Sequence, residues 1–343
     1  MDHAAFGDAL ATGVEDVRTG EAAVDALDGG GFWAVVATFE GAVTAVRFGS
    51  VVRGPVAPSA GRWAGLPGPW RSSIDEAAYR DAVEEVRRRV AAGTVYQVNI
   101  CRILSHELPE SADLDALAAV LRAGNPAPYA ARIRVDAAGL DLVSASPESY
   151  LERDGERIVS RPIKGTSRPG EPMLDKDVAE NVMITDLVRN DLSPVCEPGT
   201  VDVEVLCGLD PHPGLDHLVS TVAGRLRPGV RWRDIVACTF PPGSVSGAPK
   251  HTALAAIRDL EPVPRGPYCG AVGWVDADRR RAELAVGIRT FWAQRDDAGR
   301  RMLHFGTGAG ITWGSDPLAE WRETELKAAR LVGLTGRPYE EDR

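Results

Sequence analysis

Apolar and polar residues change rhythm several times along this chain, and the rhythm predicts a mixed set of elements. Short apolar pieces at residues 32–39 and 42–48 read as strands among Gly-, Ala- and Pro-rich loops, with residues 61–69 as a linker. From Ser73 the period turns helical. Ser73 and Glu76 fit a capping box, and Val83, Val86 and Val90 recur on one face as far as Gly93. A strand is predicted over 95–104, then a helix over 114–122 and a turn at Asn125-Pro126-Ala127-Pro128. Further helices are predicted over 175–189, 252–260 and 317–334, and strands over 271–275, 282–292 and 301–305. Strands mix with helices without a strict βαβ rhythm, which favours an α+β class. The expected division is a short N-terminal segment contributing strands (1–72), a main domain (73–334) and a C-terminal tail (335–343).

One hairpin holds the most informative residue. Residues 149–153 and 156–160 read as strands around Asp154-Gly155, a two-residue turn of the type I′ kind. The chain folds back and brings Ser146-Pro147-Glu148 to the same end as Pro162-Ile163-Lys164-Gly165-Thr166. An acid and an amine at one mouth suit a general acid and a nucleophile. Simple counting sets Glu148 opposite Arg161, on the face of Arg161 and Ile163 rather than of Lys164. Pro162 cannot donate to the ladder, and a one-residue irregularity there would turn Lys164 toward the acid.

Bulk properties narrow the field. The 343 residues, 44% hydrophobic and 26% charged, have the composition of a globular protein. No run reaches the apolar length of a membrane span, and the acidic, Ala-mixed start is unlike a signal peptide. Five scattered cysteines without CxxC spacing suggest reduced thiols in a cytoplasmic protein. The net charge of −10 argues against nucleic acid as a partner. It also means that an anionic substrate needs local cations or a metal.

Carboxylates supply a candidate for that metal. Asp177 and Glu180 lie three apart near the start of the helix over 175–189. The last helix, capped by Asp316 with Pro317 in its first turn, sets Glu320, Glu323 and Lys327 on one stripe. Solvated faces carry such stripes constantly, but two of them facing each other with oxygen ligands only would suit Mg²⁺. Gly306-Thr307-Gly308-Ala309-Gly310 could bring backbone amides close to an anion, or simply allow close packing. The run Gly243–Lys250 fails as a phosphate loop because Ala-Pro separate its glycine from its lysine, which excludes nucleotide binding of that kind. Arg289, among apolar strand neighbours, is either paired in the core or kept for a carboxylate ligand. His217 is either a proton carrier or a structural histidine.

Taken in order, Tyr96-Gln97-Val98-Asn99, Ser146-Pro147-Glu148, Pro162-Ile163-Lys164-Gly165-Thr166 and Asp186-Leu187-Val188-Arg189-Asn190-Asp191-Leu192 resemble motifs of the chorismate-utilising enzymes. So do His217-Leu218-Val219-Ser220-Thr221, Ser246-Gly247-Ala248-Pro249-Lys250, Gly308-Ala309-Gly310-Ile311 and Glu320-Trp321-Arg322-Glu323-Thr324. The resemblance runs from about Ser73 to Leu334. Within the family, Pro-Ile-Lys-Gly-Thr resembles the aminodeoxychorismate synthase component I group, whereas the anthranilate synthase large subunit typically has alanine at the position of Lys164.

The resemblance implies a chorismate-binding fold, an α/β sandwich of two large, mainly antiparallel sheets flanked by helices. It implies Mg²⁺ held by Glu180 and Glu323, with Asp177 and Glu320 acting directly or through water. Arg289, Tyr268 and the amides of Gly308, Ala309 and Gly310 would hold the enolpyruvyl carboxylate or its neighbours. Gln97, Gly165 and Lys327 would line the substrate, with Thr166 and His217 beside the reacting centre. Glu148 would protonate the departing C4 hydroxyl while neutral Lys164 attacks C2. Ammonia from a separate glutamine amidotransferase subunit would then expel the lysine and give 4-amino-4-deoxychorismate, the precursor of 4-aminobenzoate for folate or a secondary metabolite. The part before Ser73 is shorter than in longer family members, which puts an amino-acid regulatory site in doubt. Competing readings are an anthranilate synthase component I, an aminodeoxyisochorismate synthase, and a non-catalytic chorismate-binding subunit.

Overall fold

The computed structural model describes residues 2–54, 61–167, 170–212 and 215–336. Its strands form one antiparallel series. Arg71–Ser72 pairs with Gln97–Glu107, and the order continues through Arg301–Ile311, Thr290–Arg295, Leu140–Ser146, Tyr129–Val135 and His3–Phe6. It then runs through Ala9–Thr19, Val43–Arg53, Phe32–Ala37, Ala271–Asp276, Arg281–Val286 and Ser149–Asp154. Arg157–Arg161, Leu215–Arg225 and the edge strand Asp202–His212 complete it. The class is α+β with flanking helices, as the sequence indicates. The two expected sheets are joined through His3–Phe6 and Ala9–Thr19 into a single ladder.

The main core draws on both ends of this series, from Val98 and Ile100 to Ile158 and Val222. A second core gathers Leu114, Leu117 and Leu121 of helix Leu114–Gly124 with Phe291, Phe305 and Leu331. Residues 61–69 belong to it too. Trp63 and Leu66 are buried, and the Trp63 indole donates to the Thr335 carbonyl at 2.9 Å. They form a packed strap, not a free linker, because their apolar side chains find a core to enter.

Several boundaries move for local physical reasons. Helix Glu76–Ala91 is capped by Asp75, whose carboxylate accepts from the Ala78 N–H. Ser73 takes no part in a capping box; its hydroxyl accepts from the Ile103 N–H across the strand Arg71–Ser72. The strand expected over 282–292 is broken into Arg281–Val286 and Thr290–Arg295, with Arg289 between them at φ 52°. Helix Asp175–Leu192 runs one turn past its expected end, and helix Pro317–Thr335 starts under the Asp316 cap. Residues 337–343 of the expected tail lie outside the described residues. Among the described residues no helix is long and apolar enough to cross a membrane.

Candidate active site

The hairpin carries the irregularity that the site needs, though not where counting set it. Asp154 pairs with Arg157, so the turn is Gly155-Glu156 and not Asp154-Gly155. Gly155 has φ 62° and Glu156 has no positive φ, the pattern of a type II′ turn rather than I′. The register slips between Val159 and Arg161, and Arg161 faces Ser149 instead of Glu148. After Pro162 the pairing with Ser149–Asp154 ends while the chain continues along Leu215–Arg225, with Ile163 on Val219, and a second slip follows before Thr166. These two breaks bring the Ile163 N–H onto Glu148 Oε1 at 3.3 Å and set Lys164 within electrostatic range of that carboxyl.

Glu148 is only 4% exposed. Its turn is held by Ser146, whose hydroxyl donates to the Val286 carbonyl at 2.7 Å and accepts from the Glu148 N–H at 3.3 Å. Burial pushes the Glu148 carboxyl up, and a hydrogen bond from Ser244, the Lys164 charge and the Ile163 N–H only partly offset it. Burial likewise pulls the Lys164 amine down against the opposing pull of Glu180 and Glu148. A carboxyl shifted toward its protonated form and an amine shifted toward its neutral form are therefore neighbours.

Gly165 fixes the next contact. It has φ 86°, and a Cβ there would lie 2.7 Å from Asp177 Cβ, so only glycine lets the hairpin sit on the acidic helix. That helix and the last one do face each other. The Lys176 ammonium is 3.2 Å from Glu320 Oε1 and 3.9 Å from Glu180 Oε1. Lys327 pairs with Glu323 at 2.6 Å and donates to the Gly308 carbonyl at 3.2 Å. Burial raises Glu180 and Asp177. It acts on Glu323 in the same sense, but Lys327, Lys176 and Lys164 outweigh it and hold that carboxyl low.

The donor set fits a hard divalent cation. It is oxygen-only, and Glu320 Oε2 is buried with no partner. As the side chains stand, no three such ligands close around one point among the described residues. The Lys176 ammonium lies between two of them instead. Gln97 completes this wall: fully buried, it donates to Glu180 Oε2 at 3.5 Å, while its own Oε1 has no partner.

The remaining expected residues are spread more widely. His217 is buried on strand Leu215–Arg225, paired in register with Thr166 and Asp210. Gly310 packs on Gln97, where a Cβ would lie 2.3 Å from Nε2, and Gly308 packs on Cys101. Among the described residues that strand is paired from Gly306 onward on one side only, with Gln97–Glu107. Ala309 is buried in the main core. Tyr268 lies under Gly306 beside Cys101 and Cys269. Arg289 is half-buried; its guanidinium has no hydrogen bond or ion pair among the described residues, and only the charge of Arg330 acts on it.

Other motif residues have structural work: Lys250 pairs with Asp191 at 2.6 Å, and Asn181 donates to the Leu218 carbonyl at 2.9 Å. Sequence reasoning missed Lys176 and Ser244. Lys176 stands four before Glu180, a spacing that could have flagged it. Ser244 lies in the run rejected as a phosphate loop, and nothing local marks it as a partner of Glu148.

Comparison with known proteins gives this geometry a context. Residues 40–333 match the chorismate binding enzyme family. The chain is 39% identical over 278 residues to an anthranilate synthase component 1 of Haloarcula marismortui, covering 77% of this chain and 53% of that protein. It is 34% identical over 281 residues to the aminodeoxychorismate synthase component 1 of Salmonella typhimurium, covering 78% and 59%. The chain thus spans little more than half the length of these relatives. A menaquinone-specific isochorismate synthase from Escherichia coli shares the fold, with TM-score 0.79 at 18% identity over 98% of this chain and 89% of that one.

Proposed function

The chain belongs to the chorismate-binding enzymes, and from that premise we propose that it aminates chorismate with ammonia to give 4-amino-4-deoxychorismate through a covalent adduct on Lys164. The observation that carries this reading is an amine drawn toward its neutral form beside a carboxyl drawn toward its protonated form. Among the described residues no hydrogen bond or ion pair joins the two groups, so each is left for a substrate to engage.

The steps balance with these two groups. Neutral Lys164 forms a C–N bond at C2, the ring double bonds shift, and the C4 hydroxyl leaves with the Glu148 proton as water. Ammonia then forms the C4–N bond, the double bonds shift back and the C2–N bond to Lys164 breaks. The new ammonium returns one proton to Glu148. Mg²⁺ on Glu180 and Glu323, with Asp177 and Glu320 beside them, would anchor the ring carboxylate and favour the neutral lysine. Ammonia is mostly ammonium at neutral pH, so a glutamine amidotransferase partner that delivers it is part of the proposal.

A second reading, anthranilate formation, is supported by the higher identity to the Haloarcula marismortui protein. Product analysis separates the two. Purified chain with chorismate, Mg²⁺ and an ammonium salt at mildly alkaline pH is expected to make a product that a lyase converts to 4-aminobenzoate, with activity lost in EDTA. Anthranilate fluorescence without the lyase would overturn the proposal.

A further inference from the structure

Lys176 is oddly placed for a helix-stabilising residue. It is the second residue of helix Asp175–Leu192, where the partial positive charge of the helix end disfavours a cation. Its ammonium instead reaches across to the last helix, 3.2 Å from Glu320 Oε1 and 3.9 Å from Glu180. The facing charges are Glu180, Glu320, Glu323 and Asp177 against Lys164, Lys176 and Lys327. Lys327 is committed to Glu323. Among the described residues Lys176 is the only cation paired with Glu320, whose second oxygen is buried and unpartnered. The lysine side chain is 44% exposed and the Glu320 side chain 4%, so the ammonium can leave and the carboxylate cannot.

We infer that Lys176 is a tethered stand-in for the metal: its ammonium neutralises Glu180 and Glu320 in the metal-free protein and leaves them when a divalent cation binds. This rests on the reading that those carboxylates hold such a cation. A divalent ion with short oxygen bonds and an ammonium on the same carboxylates would repel each other at a few ångströms. The protein therefore binds its metal more weakly than its carboxylates alone would. In return, the acidic cleft stays neutralised while it is empty.

Mn²⁺ titration of substrate-free protein, read by loss of the free-ion EPR signal, tests this. Lys176→Met is expected to bind Mn²⁺ about tenfold more tightly than the parent, the scale of removing one half-exposed charge from its ligands. Lys176→Arg, which keeps the charge, is expected to show no such gain. A readout on the unaltered protein guards against misfolding of the variants: acetylation of Lys176, followed by peptide mass spectrometry, is expected to quicken when Mn²⁺ is added. Equal Mn²⁺ binding by parent and Lys176→Met, or unchanged Lys176 acetylation, overturns the inference while leaving the metal reading intact. Absence of Mn²⁺ binding in both proteins overturns the metal reading and the inference together.

Discussion

Arg265 and Lys164 are both basic side chains drawn away from solvent, yet only one has its bonds complete. Arg265 donates to Glu261 at 2.6 and 2.8 Å, to the Val245 carbonyl at 2.8 Å and to the Asn99 carbonyl at 2.9 Å. Its guanidinium also lies 4.1 Å from the centre of the Phe39 ring, and Glu261 accepts the Cys101 N–H. Around Lys164 the inventory is the reverse. Its amine has no hydrogen bond or ion pair among the described residues, and beyond Glu180 the Gln97 Oε1 and Glu320 Oε2 atoms are buried without partners. A satisfied buried charge ties elements together. An unsatisfied one stores free energy that a ligand can release.

The sharpest way to break this contrast is to truncate each cation. Lys164→Ala is expected to lower turnover roughly a thousandfold or more, with the melting temperature unchanged or raised, since it removes a desolvated group with no partner. Undiminished turnover would exclude the covalent route. Arg265→Met should behave oppositely. It strands Glu261 and is expected to cost about 3–5 kcal/mol of stability in denaturant unfolding, with near-normal turnover per folded molecule. A stable Arg265→Met protein with no activity would show that the two clusters had been assigned the wrong way round.

Smaller perturbations refine the picture. Gly165→Ala forces a Cβ into Asp177 at a positive φ, and about 1–3 kcal/mol of strain should appear in unfolding curves together with slower turnover. The smallest effect concerns pH. Glu148 raises the Lys164 pKa through its negative charge, so Glu148→Gln removes that support and the amine titrates at a lower pH. Rates of Lys164 modification by an amine-reactive reagent, followed across pH, should shift to the acid side. A shift to the alkaline side would contradict the electrostatic assignment.

Much of this was legible in the residues, for reasons that differ by element. The acid–amine mouth was readable because a hairpin fixes which residues lie at its open end, even though the turn was misplaced by one residue. The type II′ geometry at Gly155 and the slip before Arg161 were not readable. Both depend on pairing with Arg281–Val286 and Leu215–Arg225, far away in sequence. Helical spacing sets each acidic stripe on one face but not the two face to face, which the Lys176 bridge between the helices supplies. Arg289 was expected within a strand, and the chain breaks there at a backbone conformation that its side chain does not announce. Residues 61–69 read as a linker because Gly and Pro dominate them, while the core that Trp63 and Leu66 enter is built from residues far away in sequence.

If Lys164 is the nucleophile, its adduct can be weighed. Protein mixed with chorismate and Mg²⁺ in the absence of ammonia, then quenched and digested, is expected to carry one chorismate less one water on the peptide containing Lys164. Addition of ammonium salt before quenching should discharge it. An unmodified Lys164 under conditions in which the same protein turns over chorismate with ammonia would rule out the covalent role of this lysine.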